Sequence, residues 1–144
     1  MLRLTTKSRF GLRAIFDIAY HSIGKPIQIQ DISRRQGIPP RYLEQIFRNL
    51  TKVRIVGSKR GPQGGYFLLK NCDEITIKDI INAGEGPIEI VPCTSSRGIC
   101  HRDPNCTARF VWCETRDILS EFLESMTIAD LCARAKALED DNPL

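Results

Sequence analysis

No window of this 144-residue chain holds eighteen consecutive apolar residues, which excludes a membrane-spanning helix. A secretion signal is missing too, because Arg3, Lys7, Arg9, Arg13 and Asp17 interrupt every apolar run near the amino terminus. A soluble, cytoplasmic protein with no membrane partner is therefore expected. The chain also lacks the arrangements that carry catalysis. It offers no nucleophile paired with a base and no paired acidic site, and Gly61 to Gly65 follow a basic hairpin instead of opening a phosphate-binding helix. No enzyme is expected, and no internal repeat is visible. Acidic residues are almost absent from one block: between Arg34 and Lys70, nine Lys or Arg stand against the single acid Glu44. Residues 1–33 hold five cations and two acids, 71–113 four and six, and 114–144 three and eight. The chain is thus basic in front and acidic behind. A merely solvated surface intersperses its signs, whereas a surface that meets a polyanion clusters its cations. The clustering favours nucleic acid, although charge alone would also suit an anionic membrane surface.

With 42% hydrophobic residues, the chain can build one core, or a small domain plus an appended helix that needs a partner. Leu12, Ile15, Phe16, Ala19 and Ile23 recur at helical spacing between Thr6 and Ile23, and Gly24 follows as a stop. The short stretch Pro26 to Gln30 leads into a second helix, Asp31 to Gln36, closed by Gly37. Ile38 packs in the turn. Pro39 and Pro40 suit the first turn of a third helix, whose inner face is Tyr42, Leu43, Ile46, Phe47 and Leu50. The pattern is helix, glycine-containing turn, helix. Arg54 to Ser58 and Tyr66 to Leu69 then read as two strands around a glycine-rich hairpin loop, which makes a β-wing.

Two Thr-x-x-Asp signatures, Thr76 to Asp79 and Thr127 to Asp130, mark later helix starts. Between them lie a helix-poor loop, Gly84 to Asn105, and a long helix with apolar positions Val111/Trp112, Ile118/Leu119, Phe122/Leu123 and Met126. A stripe that wide predicts helix-on-helix packing in a homodimer; the alternative is that it packs on its own winged unit. The expected organisation is mainly α. A winged helix-turn-helix DNA-binding domain with a β-hairpin wing occupies residues 1–83 and a cysteine loop residues 84–106. A long dimerisation helix and terminal helix follow at 107–138, and a flexible tail at 139–144.

A recognition helix enters the major groove by its amino-terminal end. Here that end is Pro39, Pro40, Arg41 and Tyr42, followed by Glu44, Gln45 and Arg48. By side-chain type Arg41 suits guanine, Gln45 adenine and Glu44 cytosine. Ser58, Lys59, Arg60 and Gly61 form the wing tip, from which a flexible cation reaches the minor groove or the backbone. Arg34, Arg35 and Lys52 are assigned to phosphates. A winged fold used for protein contacts is the bland alternative, but the cations fall on every element that would face a duplex together.

Six cysteines without a secretion signal argue against a disulfide scaffold and for metal or redox use. Cys93, Cys100 and Cys106 form C-x6-C-x5-C in one loop. Thiolates select zinc, copper(I) or iron-sulfur clusters, and gaps wider than zinc knuckles favour the cluster over zinc. Cys72, Cys113 and Cys132 read as small buried apolar residues. Cys113 lies about 10 Å along a helix from Cys106, far for two ligands of one small cluster.

These residues together resemble the Rrf-type winged-helix regulators, whose IscR-like and NsrR-like members carry iron-sulfur clusters; the IscR-like branch is the nearer. The resemblance runs from Met1 to about Ala137. It is carried by Leu4-Thr5, Arg9-Phe10, Asp31-Ile32-Ser33, Tyr42-Leu43-Glu44-Gln45, the wing run Arg60-Gly61-Pro62-Gln63-Gly64-Gly65-Tyr66, and the three-cysteine loop. It implies a homodimer that binds palindromic double-stranded operator DNA and represses or activates promoters, with RNA polymerase as a further candidate partner. It also implies one cluster per subunit on Cys93, Cys100 and Cys106, 2Fe-2S being favoured over 4Fe-4S. Implied targets are genes of iron-sulfur assembly or of redox and nitrosative stress. A cluster-free regulator that uses its cysteines as a thiol switch is the alternative. One departure stands out. IscR-like members place a histidine ligand three residues after the last cysteine, where this chain has Arg109. NsrR-like members use an acidic residue of the partner near the amino terminus, where this chain has Ser8 and Arg9. Substitute fourth ligands are His101, Asp103, Cys113, Glu114, a residue of the other subunit, an exogenous thiol or water.

Overall fold

Apolar residues at helical spacing set the elements and their buried sides. The computed structural model of the chain describes residues 4–94, 100–102 and 105–141. Among them the order is α1 (Thr6–His21), α2 (Ile29–Gln36), α3 (Pro40–Lys52), β1 (Val56–Lys59), β2 (Gly65–Leu68), α4 (Ile77–Glu85), α5 (Thr107–Ser125) and α6 (Ile128–Asp141), with a 3₁₀ turn at Pro92–Thr94. No helix among the described residues is long and apolar enough to cross a membrane. The core gathers Ala14, Ile15 and Ile18 of α1, Ile32 of α2, Leu43, Ile46, Phe47 and Leu50 of α3, and Ile80 and Ile81 of α4. Burying a side chain such as Phe47 contributes roughly 2 kcal/mol. The mainly helical fold with its antiparallel hairpin is the expected winged helix-turn-helix.

Local chemistry explains the junctions. Gly37 ends α2 in the left-handed conformation, at φ 63°, and its N–H donates to the Ser33 carbonyl. Ile38 is fully buried in the turn that follows. Pro40 is the first residue of α3, where the missing N–H leaves no bond unmade. Both Thr-x-x-Asp signatures are capping boxes: Asp79 N–H donates to Thr76 Oγ1 and Thr76 N–H to Asp79 Oδ2, each at 3.1 Å. Thr127 N–H donates to Asp130 Oδ2 at 2.8 Å and Asp130 N–H to Thr127 Oγ1 at 3.3 Å.

Four readings are corrected. Ile23 is 92% exposed instead of core-facing, because α1 stops at His21 and the Ser22 hydroxyl bonds the Lys25 carbonyl at 3.1 Å, turning the chain outward. The helix-poor loop begins after Glu85, since α4 continues through Gly84. Glu85 is fastened there by accepting from the N–H and hydroxyl of Thr5 at 2.7 and 3.0 Å. Residues 139–141, expected in a flexible tail, are the end of α6; residues 142–144 of that tail lie outside the described residues. Finally, α6 does not stand apart with α5. Ile128 is fully buried in the winged core, Ile128 N–H donates to the Ile75 carbonyl at 3.0 Å, and Ala129 N–H to the Cys72 carbonyl at 3.1 Å. The terminal helix belongs to the winged unit.

α5 is the outlier, for it contains no buried residue. Leu119 and Leu123 line a cavity of about 400 Å³ with Leu4, Ile81 and Ile88 of the winged unit, whereas Phe110, Val111, Ile118 and Phe122 are 52–68% exposed. The apolar stripe is therefore split, one edge against its own chain and the other facing outward.

Candidate nucleic-acid interface and cysteine segment

α3 buries Leu43, Ile46, Phe47 and Leu50 and turns its polar side out. Arg41, Gln45, Arg48 and Lys52 fall within about 60° of one another around the helix, with Glu44 beside them, and all five are exposed. Pro40 is exposed as well; Tyr42 is half-buried, edge-on to Phe10 at 5.6 Å.

The wing is held next to this helix by aromatic packing. Tyr66 of β2 stacks on Phe47 at 4.2 Å. Burial pushes the Tyr66 phenol above its ordinary value, the Glu44 carboxylate adds to the rise and Arg48 opposes it. Val56 pairs with Leu68 and Lys59 with Gly65, and Ile27 extends the hairpin through two bonds with Tyr66 at 2.8 and 2.9 Å. Gly64 and Gly65 are required here. A Cβ on Gly64 would lie 2.1 Å from the Lys59 carbonyl oxygen, and one on Gly65, at φ 145°, would lie 2.4 Å from that of Ile27. This crowding presents Ser58, Lys59, Arg60 and Gly61 as an exposed tip.

The two arginines of α2 part company. The Arg34 side chain is 77% exposed and pairs with Asp31, at 3.0 Å. Arg35 donates to Asp17 through Nε at 3.0 Å and through its terminal nitrogen at 2.6 Å, and Asp17 is fully buried. Gln36 Nε2 adds a third bond to the same carboxylate at 2.9 Å. Hydrogen bonding to Asp17 raises the Arg35 pKa, so the guanidinium stays charged. Arg35 ties α2 to α1 through this pair, while its side chain stays 34% exposed. Sequence reasoning missed Asp17 as its anchor; a lone acid amid the apolar residues of a helix was the available signal.

Cys93 sits in the 3₁₀ turn, Cys106 is the N-cap of α5, and Cys100 lies between them. All three are half-buried free thiols. Arg109 Nε donates to the Cys93 carbonyl at 2.9 Å, and an Arg116 terminal nitrogen donates to the Thr94 carbonyl at 2.7 Å. Among the described residues, no three His, Cys, Asp or Glu side chains converge as a metal site requires. Of the substitute fourth ligands, His101 and Glu114 are exposed, Cys113 is half-buried on α5, and Asp103 lies outside the described residues. Ser8 is 2% exposed, and a Cβ on Gly84 would lie 3.2 Å from its hydroxyl, so Ser8 is enclosed by its own chain; Arg9 is exposed. Burial pushes the Cys72 and Cys132 thiols up, as suits side chains packed against the core.

Comparison with known proteins agrees with this geometry. Residues 4–134 match the family described as "Rrf2: Iron-dependent Transcriptional regulator". The chain is 36% identical to the HTH-type transcriptional regulator IscR of Sodalis glossinidius, covering 96% of this chain and 83% of that protein. It is 38% identical to IscR of Erwinia tasmaniensis, covering 90% and 78%. Among solved structures, CymR, the global cysteine regulator of B. subtilis, superposes with a TM-score of 0.79 at 33% identity, covering 93% of this chain and 98% of that one. T. potens IscR superposes with a TM-score of 0.75 at 31% identity, covering 99% and 93%.

Proposed function

The chain belongs to the Rrf2 family of transcriptional regulators, and on that premise we propose that it is a cytoplasmic, homodimeric DNA-binding regulator whose cysteine segment senses through an iron-sulfur cluster. Its family relatives are transcription regulators and not enzymes. The observation that carries the reading is the seating of Cys93 and Cys106. Cys93 is fastened by Arg109, and Cys106 opens the helix with the outward apolar face. The donor set suits the group: three soft, half-buried thiols, none in a disulfide, with the positive end of the α5 dipole at Cys106 complementing thiolate charge. Cys93, Cys100 and Cys106 would hold the cluster, of 2Fe-2S type by resemblance. When bound, the cluster supplies a redox-labile centre.

The chain's own residues do the rest. Arg41, Gln45 and Arg48 meet base edges or phosphates in the major groove, while Lys59 and Arg60 grip the neighbouring backbone or minor groove. Two recognition helices must sit about one helical turn of DNA apart, and α5 sets that separation if its outward face joins a second copy. The state of Cys93, Cys100 and Cys106 then biases DNA affinity only as far as it favours one arrangement of the dimer.

Cys106→Ala tests the assignment directly. The variant is expected to carry no iron while eluting as the same dimer; full iron content would remove Cys106 from the ligand set. The wing is tested by Arg60→Ala, which should weaken binding and reduce the salt slope by about 1. Unchanged affinity at every salt concentration would take the wing away from the duplex. The structural likeness to CymR keeps a thiol switch as the second reading. Under that reading the protein is colourless and Cys93→Ala binds DNA normally.

A further inference from the structure

Two arginines on one side of α5 meet two consecutive carbonyls of the turn that carries Cys93. Arg109 Nε reaches the Cys93 oxygen at 2.9 Å, and an Arg116 terminal nitrogen reaches the Thr94 oxygen at 2.7 Å. Seven residues apart, they stand about 10 Å apart along the helix and point the same way. The turn is closed on itself by Thr94, whose N–H and hydroxyl both bond the Val91 carbonyl, at 3.0 and 2.7 Å. Thr94 is 4% exposed, so its bond to Arg116 is sheltered, and a charged donor to a sheltered carbonyl is among the stronger hydrogen bonds. Arg116 is itself braced, because Nε and a terminal nitrogen both donate to Asp117 Oδ1, at 2.8 and 2.6 Å.

The opposite side of α5 carries the outward apolar residues. At 100° per residue, Val111, Ile118 and Phe122 lie roughly 180–240° around the helix from Arg109 and Arg116. One rigid helix therefore has the cysteine turn clamped to one side and its exposed apolar edge on the other. We infer that Arg109 and Arg116 are positioning residues that couple the Cys93 turn to α5, transmitting the state of the cysteine segment to the face that meets a partner. Neither arginine needs to touch DNA or a cluster for this. The identity of the signal rests on the proposed function, whereas the clamp belongs to the chain itself.

The test uses full-length Arg109→Ala/Arg116→Ala protein, Arg109→Lys as the conservative variant, and a duplex selected by wild-type protein from a random-sequence pool. Wild-type protein should differ about tenfold or more in affinity between its cluster-loaded and cluster-stripped forms, and the double variant by less than about twofold, with iron content and dimer retained. Arg109→Lys should keep most of the wild-type ratio. A double variant that loses affinity in both forms while keeping the wild-type ratio would overturn the coupling. Should wild-type protein take no cluster, the cluster reading fails and the clamp is judged separately by amide exchange. Exchange across residues 91–94 should be about tenfold faster in the double variant than in wild type. Equal exchange would overturn the clamp.

Discussion

Arg35→Ala will cost about 3 kcal/mol of stability and lower Tm by on the order of 10 °C, while the salt dependence of DNA binding barely changes. Asp17 is fully buried, and removing Arg35 leaves its carboxylate with one bond from Gln36 at 2.9 Å and a His21 nitrogen 3.9 Å away. Leaving a buried charge without its partner costs more than the pair contributes over an apolar replacement, which is why truncation is severe. The value sits at the low end for buried pairs because the Arg35 side chain is 34% exposed. Arg34→Ala provides the contrast. Its pairing with Asp31 is between exposed side chains, so stability should change by less than about 0.5 kcal/mol, while the salt slope falls. Thermal melts and salt titrations of both variants check the assignment. An Arg35→Ala protein that melts like wild type and loses salt dependence would return Arg35 to the phosphate contacts.

Phe122→Asp is expected to dissociate the proposed dimer and weaken operator binding by about 100-fold or more. Phe122 is 58% exposed, in line with Ile118 and Val111 at 63% and 52%. In a two-fold dimer each substitution is felt twice, and a charge in an apolar contact costs upward of about 2 kcal/mol per copy, so the dimer constant should fall about 1000-fold. Sedimentation of Phe122→Asp beside wild type measures this. A variant that stays dimeric at micromolar concentration would place the partner surface elsewhere.

Much of this fold was legible because its signals are local. Helical spacing, Gly37 as a stop, Pro40 as a start and two Thr-x-x-Asp caps each act within a few residues, and each stands where the sequence placed it. The misreadings need contacts from far along the chain. Ile23 reads as core by spacing, but His21 ends the helix before it; α6 reads as part of the dimer arm, whereas Ile128 is buried and its N–H bonds the Ile75 carbonyl. The candidate site divides the same way. Exposure of Arg41, Gln45, Arg48, Lys59 and Arg60 follows from patterning. Arg35 could not be told from Arg34 by composition, since its partner Asp17 lies eighteen residues upstream. The bond from Arg109 to the Cys93 carbonyl was equally hidden, because a side chain reaching a backbone oxygen leaves no motif.

The visible absorption spectrum of protein purified without oxygen, taken with its iron and sulfide content, tests the central claim most directly. Broad visible bands with stoichiometric iron and sulfide are the predicted result. A colourless protein that takes up no iron and sulfide on reconstitution would contradict the cluster and leave a thiol switch on the same DNA-binding fold.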